Sequence, residues 1–236
     1  MELQSIIFVV IIILIVYIFA QAFSGETRLT EVSDAQVEQK ILAAKLPKAD
    51  VPNMNCTYSL WIYVGEWNYR YGEKKVIFGR SDEFENQGPL VSFSPTQNNI
   101  DVEVDVYPNT NEESNVTHTC TVTNVPLQKW VNIMLSVYNK TLDVYVDGKL
   151  SRSCLLPGVP RLSRSEDIII TPNGGFAGNT AGFQFWDEES TPERAWNIYT
   201  KGYTGNYMNN LFYGLNSYGA KLSILENGQE TASLSF

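Results

Sequence analysis

Apolar and polar residues alternate most sharply between Val125 and Pro157. From Trp130 to Tyr138, Val131, Ile133, Leu135 and Val137 fall on one side, with Trp130, Asn132, Met134, Ser136 and Tyr138 on the other. From Thr141 to Asp147 the pattern repeats, Leu142, Val144 and Val146 standing opposite Thr141, Asp143, Tyr145 and Asp147. A period of two describes strands with one buried face. Only Asn139 and Lys140 separate the two runs, the length of a tight hairpin loop, and Asp147-Gly148 supplies a second turn. The segment predicts a three-stranded antiparallel meander that continues through Lys149–Leu155.

Short strands recur on both sides of it. Cys56–Val64, Lys75–Arg80, Leu90–Phe93, Ile100–Tyr107 and Thr117–Thr123 precede the meander, and Asp167–Thr171 and Phe176–Asp187 follow. Loops rich in Gly, Pro and Asn separate them, which is the pattern of a β-sandwich. Ser190-Thr191-Pro192-Glu193 opens one helix and Gly202 closes it. A last hairpin pairs Leu222 and Ile224 with Leu234 and Phe236.

The N-terminal part reads differently. Ile6–Ala20 is uninterruptedly apolar, and no charge stands between Glu2 and Glu26. Extended from Leu3 to Phe23, the run is long enough to cross a bilayer. Ala20-Gln21-Ala22 also fits a signal cleavage site, but the first residues lack Lys and Arg. From Ser33 to Leu46 the pattern turns helical, with Ser33 and Gln36 as a capping box, Val37, Ile41 and Ala44 as a stripe, and Pro47 as the stop. The expected organisation is a transmembrane anchor over 1–24, a linker with a short stalk helix over 25–52, and a folded domain over 53–236. That organisation predicts a single-pass membrane protein. Arg28 and Lys40 follow the apolar run and no basic residue precedes it, which favours a cytosolic domain by the positive-inside rule.

The run from Trp130 to Leu150 resembles the central hairpin of laminin G-like, concanavalin A-like jelly-roll domains. Gly175-Phe176-Ala177-Gly178, Phe183-Gln184-Phe185-Trp186 and Thr191-Pro192-Glu193 resemble the closing part of the same family, and Tyr58–Val64 an early strand. Ser153-Cys154-Leu155-Leu156-Pro157-Gly158-Val159 is similar to membrane-anchored members encoded by large DNA viruses. The resemblance implies an all-β antiparallel sandwich jelly roll with one short helix. It also implies a virion component: a minor capsid or membrane-associated structural protein that links a membrane to the shell or to a protein partner. A glycan-binding, lectin-like attachment protein is the alternative, since such sandwiches host several functions.

Composition narrows this further. The chain has 236 residues, 44% hydrophobic and 18% charged, which suits one sizeable domain with an appendage. A net charge of −9 argues against nucleic acid as a partner. Three cysteines allow one pair plus a free thiol, or three reduced side chains. Cys120 and Cys154 flank the central hairpin in one sheet neighbourhood, so they are the pair expected in an oxidising compartment. Asn55, Asn115 and Asn139 begin glycosylation sequons, but about this number arises by chance in a chain so rich in Asn, Ser and Thr.

The sharpest catalytic candidates are Asp101, Glu103 and Asp105, alternate residues on one strand face, roughly 6.5–7 Å apart. That spacing approaches the separation of paired glycosidase carboxylates. Laminarinase-type relatives carry Glu-x-Asp followed by a further Glu. Glu103-Val104-Asp105 matches the first part, but Val106, Tyr107 and Pro108 follow, without the last acid. The set therefore reads as a solvent-facing strand backed by Val102, Val104 and Val106, and a glycosidase is the least favoured function. His118, the only histidine, has no partner that would suggest a metal or a nucleophile. No metal or cofactor is expected from a motif; calcium stays open on the resemblance, since some laminin G-like and lectin relatives use it, although no Asp/Asn loop here matches their ligand pattern. Trp67, Tyr69 and Tyr71 crowd one polar loop, where they form a sugar platform, a docking surface or a cap on the open end of the sandwich.

Overall fold

The computed structural model describes residues 12–14, 17, 28–47, 55–80, 88–107, 116–162, 165–205, 221–226 and 229–235. The chain divides into two units, Thr27–Tyr203 and Met1–Glu26 with Thr204–Phe236. In chain order the strands are β1 (Ser33–Asp34), β2 (Gln39–Ile41), β3 (Cys56–Glu66), β4 (Lys75–Arg80), β5 (Leu90–Phe93), β6 (Ile100–Val106) and β7 (Val116–Val122). They continue with β8 (Trp130–Tyr138), β9 (Thr141–Val146), β10 (Lys149–Leu155), β11 (Ile168–Ile170), β12 (Ala177–Trp186), β13 (Lys221–Glu226) and β14 (Gln229–Ser235).

Within Thr27–Tyr203 the strands form two six-stranded antiparallel sheets, ordered β1-β12-β3-β8-β9-β10 and β2-β11-β4-β5-β6-β7. The predicted meander is β8-β9-β10. Its apolar positions Val131, Ile133, Leu135, Val137, Leu142 and Val144 enter one core with Val102, Val104, Val106 and Ile170 of the facing sheet. Burial of this apolar surface is the main force holding the sheets together. Aromatic rings run through the core. Tyr58 meets Phe78 and Phe185, Phe78 meets Phe183, and Phe93 meets Phe176, with centroids 5.0–5.9 Å apart. Burial pushes the Tyr58 phenol well above its ordinary value, the Cys56 thiol adding to this and the Arg80 guanidinium opposing it. The hydroxyl therefore stays protonated and accepts a hydrogen bond from Arg80 Nη1 at 3.4 Å.

The helix Pro192–Lys201 starts where the sequence places it. The Thr191 hydroxyl accepts from Arg194 N, Pro192 occupies the first turn, and Gly202 ends the last one. Ala195 and Ile198 seal the helix against Met134 and Tyr145 on the outer face of the first sheet. In the other unit, β13 and β14 pair as the predicted hairpin, with Leu222 opposite Leu234 and Ile224 opposite Ala232.

The segment expected to be a stalk helix is instead part of the sandwich. Ser33 and Asp34 pair with Thr180 and Asn179, and Gln39–Ile41 pairs with Ile168–Ile170. Only a three-residue 3₁₀ turn, Ala43–Lys45, is helical. A narrow apolar stripe on so short a helix would have little to bury itself against. As extended chain, the same residues bury Ala35, Ile41 and Leu46 in the core and leave Val37 outside. Ser33 Oγ donates to the Glu31 carbonyl instead of capping a helix, and Gln36 N donates to Asp34 Oδ1 in an Asx turn. Within the linker 25–52, residues 33–41 thus supply an edge strand to each sheet.

Most of the apolar run 3–23 lies outside the described residues. Among those described, no helix is long and apolar enough to cross a membrane. Arg28 and Lys40, used above as orientation signals, both have partners in the sandwich. Arg28 donates to the Gly202 and Tyr203 carbonyl oxygens at the helix C-terminus, where a cation is favoured. Lys40 pairs with Asp167 at 3.0 Å. Their positions after the apolar run therefore have a structural cause of their own.

Asp167 links the strap formed by residues 33–41 to the second sheet. Its Oδ1 accepts from Ala43 N at 2.7 Å, and this bond, followed by the one from Lys40, holds the carboxyl below its ordinary value. A depressed carboxylate contributes stability above its unfolded value of about 3.9 and loses it as pH falls through the lower folded value. Asp167→Asn should therefore speed hydrogen exchange at the Ala43 amide at pH 7. The gap from wild type should close on acidification below about pH 3.9. A gap that widened toward acid would contradict the assignment.

Candidate functional site

Three loops converge at one end of the sandwich: 67–74 after β3, 94–99 after β5, and 123–129 after β7. Their shapes are set locally. Arg70, Asn124 and Gln128 take positive φ, a conformation that Asn tolerates better than most side chains. The second and third loops are laced together. Val125 N donates to the Asn98 carbonyl, Asn98 Nδ2 to the Val125 carbonyl, and Asn124 N to Asn99 Oδ1. Asn99 Nδ2 donates to Gln97 Oε1 at 2.7 Å.

Between these loops lies a cleft of about 680 Å³. Thr96 to Asn99, Thr123 and Asn124 present hydroxyls and amides, while Trp67 and Leu127 give it an apolar side. Trp67 stands edge to face with Phe93 at 5.5 Å, which connects it to the core. Lys75 is 1% exposed. Its ammonium donates to the Trp67 carbonyl at 2.9 Å and lies 4.0 Å from the centre of the Trp67 ring. Burial lowers the affinity of Lys75 for its proton, and the Arg70 charge adds to this.

The three loop aromatics therefore part company. Trp67 lines the cleft, whereas Tyr69 and Tyr71 do not. Tyr69 donates to the Gly174 carbonyl at 3.1 Å and helps fasten its loop to the Pro172–Gly174 turn. Tyr71 is exposed.

The acidic triplet is engaged by neighbouring side chains, although Asp105 Oδ2 is buried without a hydrogen-bond partner among the described residues. Asp101 accepts from Ser94 Oγ and Thr121 Oγ1, Glu103 pairs with Lys74 at 2.6 Å, and Asp105 accepts from Thr117 Oγ1. Two of these bonds, to Thr117 and Thr121, cross to the neighbouring strand β7, the kind that stabilise a sheet. Asp105 is 3% exposed, covered although it lies on the outer face of β6. None of the three lines the cleft. His118 sits opposite Val104 in the β6–β7 register. Among the described residues, no cluster of three His, Cys, Asp or Glu side chains could hold a metal ion.

Cys120 and Cys154 form a disulfide with Cα atoms 6.1 Å apart, while Cys56 is buried and free of any disulfide. The bond joins different sheets, not neighbours in one sheet. β7 ends the second sheet and β10 ends the first, so it staples the two edge strands. Among the sequons, Asn139 is exposed at the β8–β9 turn, and Asn55 donates to Glu189 Oε2 at 2.8 Å. Asn115 lies outside the described residues.

Sequence reasoning found Trp67 by its aromatic density but missed Asn98, Asn99 and Asn124. Polar residues in loops look alike until the hydrogen bonds between loops are known.

This architecture is a two-sheet antiparallel jelly-roll sandwich. A family profile described as the concanavalin A-like lectin/glucanases superfamily, of the third laminin G type, matches residues 42–195, and the chain belongs to that family. Among solved structures it is similar to the receptor binding domain of botulinum neurotoxin D, with TM-score 0.51, 13% identity and coverage of 72% of this chain and 47% of that one. A second structure, the binding domain of botulinum neurotoxin serotype D, has TM-score 0.51 and 14% identity over 72% of this chain and 46% of that one. At such identities the likeness concerns the fold. The chain spans less than half the length of these neurotoxin domains. No curated protein matches the chain.

Proposed function

We propose that the domain is a non-catalytic recognition module that binds a glycan through the cleft at the loop end. The observation that carries this reading is the cleft itself, where hydroxyls and amides converge beside an anchored tryptophan. Binding sites of this kind pair apolar walls with a few placed polar groups. The engagement of Asp101, Glu103 and Asp105 with neighbouring Ser, Thr and Lys side chains supports the non-catalytic part. Each carboxylate has a neighbouring side-chain partner, and none of them lines the cleft. The similar neurotoxin structures are named as a receptor binding domain and a binding domain, which agrees with a binding role.

In this reading the uncharged run from Leu3 to Phe23 tethers the module to a membrane. The Cys120–Cys154 bond favours display on the oxidising side, where disulfides persist. Release of the chain by alkaline carbonate washing would remove the tether from the proposal. A second reading, docking to a protein such as a viral shell component, is favoured by β10, an edge strand exposed along most of its length with Leu155 77% exposed.

The test uses the full chain on an array of neutral, sialylated and sulfated glycans, with Thr96→Tyr as a rim-blocking variant. Binding that Thr96→Tyr abolishes is expected. A silent array would leave the docking role ahead, and β-glucan turnover lost in Glu103→Gln would replace both readings with a glycosidase.

A further inference from the structure

Charge is distributed unevenly around the cleft. The chain carries a net charge of −9, yet every residue lining the cleft is uncharged. The nearby cations are occupied elsewhere. Lys75 is buried against Trp67, and Arg70 donates to Glu73 Oε2 and to the Asn173 carbonyl. An anionic sugar entering here would give up hydration without meeting a counter-charge, which is unfavourable in a partly enclosed site. A hydroxyl-rich neutral sugar meets matching groups. The Thr96 and Thr123 hydroxyls and the Asn124 side-chain amide line the cleft and make no hydrogen bond within the fold among the described residues.

Trp67 supplies the apolar complement, because an indole face packs on the C–H face of a pyranose. Its ring is not free to turn. The buried Lys75 ammonium holds the backbone carbonyl and one ring face of the same residue, and Phe93 fixes it from the core. A cation on an aromatic face is attracted by the ring quadrupole, most strongly where water is excluded. A buried cation is costly, and a hydrophobic side chain of similar volume often stabilises a core as well or better. A lysine at this place would have a use beyond stability if it set the angle of the ring.

Resting on the glycan reading above, we infer that the cleft selects an uncharged sugar residue stacked on Trp67, with Lys75 as the positioning residue for that ring. The experiment measures affinity of the full chain for maltohexaose, cellohexaose, mannohexaose and chitohexaose, and for 3′-sialyllactose and a heparin hexasaccharide. At least one neutral probe should bind, at least about tenfold tighter than either anionic probe. Its affinity should change less than about twofold between low and high salt, as expected without charge pairing.

Lys75→Met should keep or raise the thermal midpoint yet weaken the neutral probe about tenfold or more, with Lys75→Arg recovering part of the loss. An affinity that merely followed the midpoint across these variants would assign Lys75 a structural role only and overturn that part. Should Lys75→Met fail to fold, Asn124→Lys is the second variant. A cation placed in the wall should raise binding of the sialylated probe, and no gain would count against selection by charge. The two proposals fail differently. A silent array sinks the glycan reading, whereas rim-blockable binding to a charged glycan keeps that reading and overturns this one.

Discussion

Removing the Cys120–Cys154 bond by the double substitution Cys120→Ala, Cys154→Ala is expected to lower the stability of the sandwich by about 3–4 kcal/mol. The figure follows from the 34-residue separation of the two cysteines, through the chain entropy that the closed loop denies to the unfolded state. For a domain of this size that corresponds to a drop of about 6–16 °C in the thermal midpoint. Reductant added to the wild type should reproduce most of the shift and add nothing to the double variant. The loop contains the whole β8–β9 hairpin, so its closure brings edge strands of two different sheets together. A midpoint that moves by less than about 2 °C would mean that the two edges are already held by packing, and the entropic argument would fall.

Gly175→Ala should damage the packing against the strap, costing about 2–5 kcal/mol. Two effects add. Gly175 has φ of +37°, outside the range that side chains other than glycine favour, a cost of about 1–2 kcal/mol. The added methyl would also drive into the Ala35 carbonyl oxygen and stand 2.7 Å from Thr171 Cβ, an overpacking cost of about 1–3 kcal/mol. The Ala35 carbonyl is the acceptor for Phe176 N, and Ala35 N donates to Gly178 O. The damage should therefore appear first as faster hydrogen exchange at the Ala35 and Phe176 amides, together with a lower urea midpoint. Unchanged exchange at those two amides would show that the strap does not depend on this close approach.

The sequence disclosed the sheets far better than the site. Strands such as β6 and β9 were legible because they alternate about a buried face, and that pattern survives in one dimension. Thr191, Pro192 and Gly202 marked the helix by local chemistry alone. The strap was misread because Val37, Ile41 and Ala44 fit a helical stripe, whereas its extended form is dictated by partners 120 to 150 positions away. Non-local pairing of that kind overrides propensity and leaves no local trace. Cys120 and Cys154 were paired for a partly mistaken reason: proximity in the chain suggested one sheet, and the fold joins two. The cleft was hidden for the same cause. Trp67 draws attention by itself, but its clamp, Lys75, looks in the sequence like any other surface lysine at a strand start.

Closure at both margins of the sandwich has a mechanical consequence. On one side residues 33–41 cross from the first sheet to the second, and on the other a covalent bond joins them. Tension applied at the N-terminal side of Arg28 would be shared between both layers through the strap before it reached the interior. The first bonds to rupture under load would be those of residues 28–30 to Gly182, Phe183, Gly202 and Tyr203, followed by the few hydrogen bonds of β1 and β2. Past that point the covalent margin would keep the layers from separating, so the domain would yield stepwise and its loop-end cleft would be among the last parts to deform.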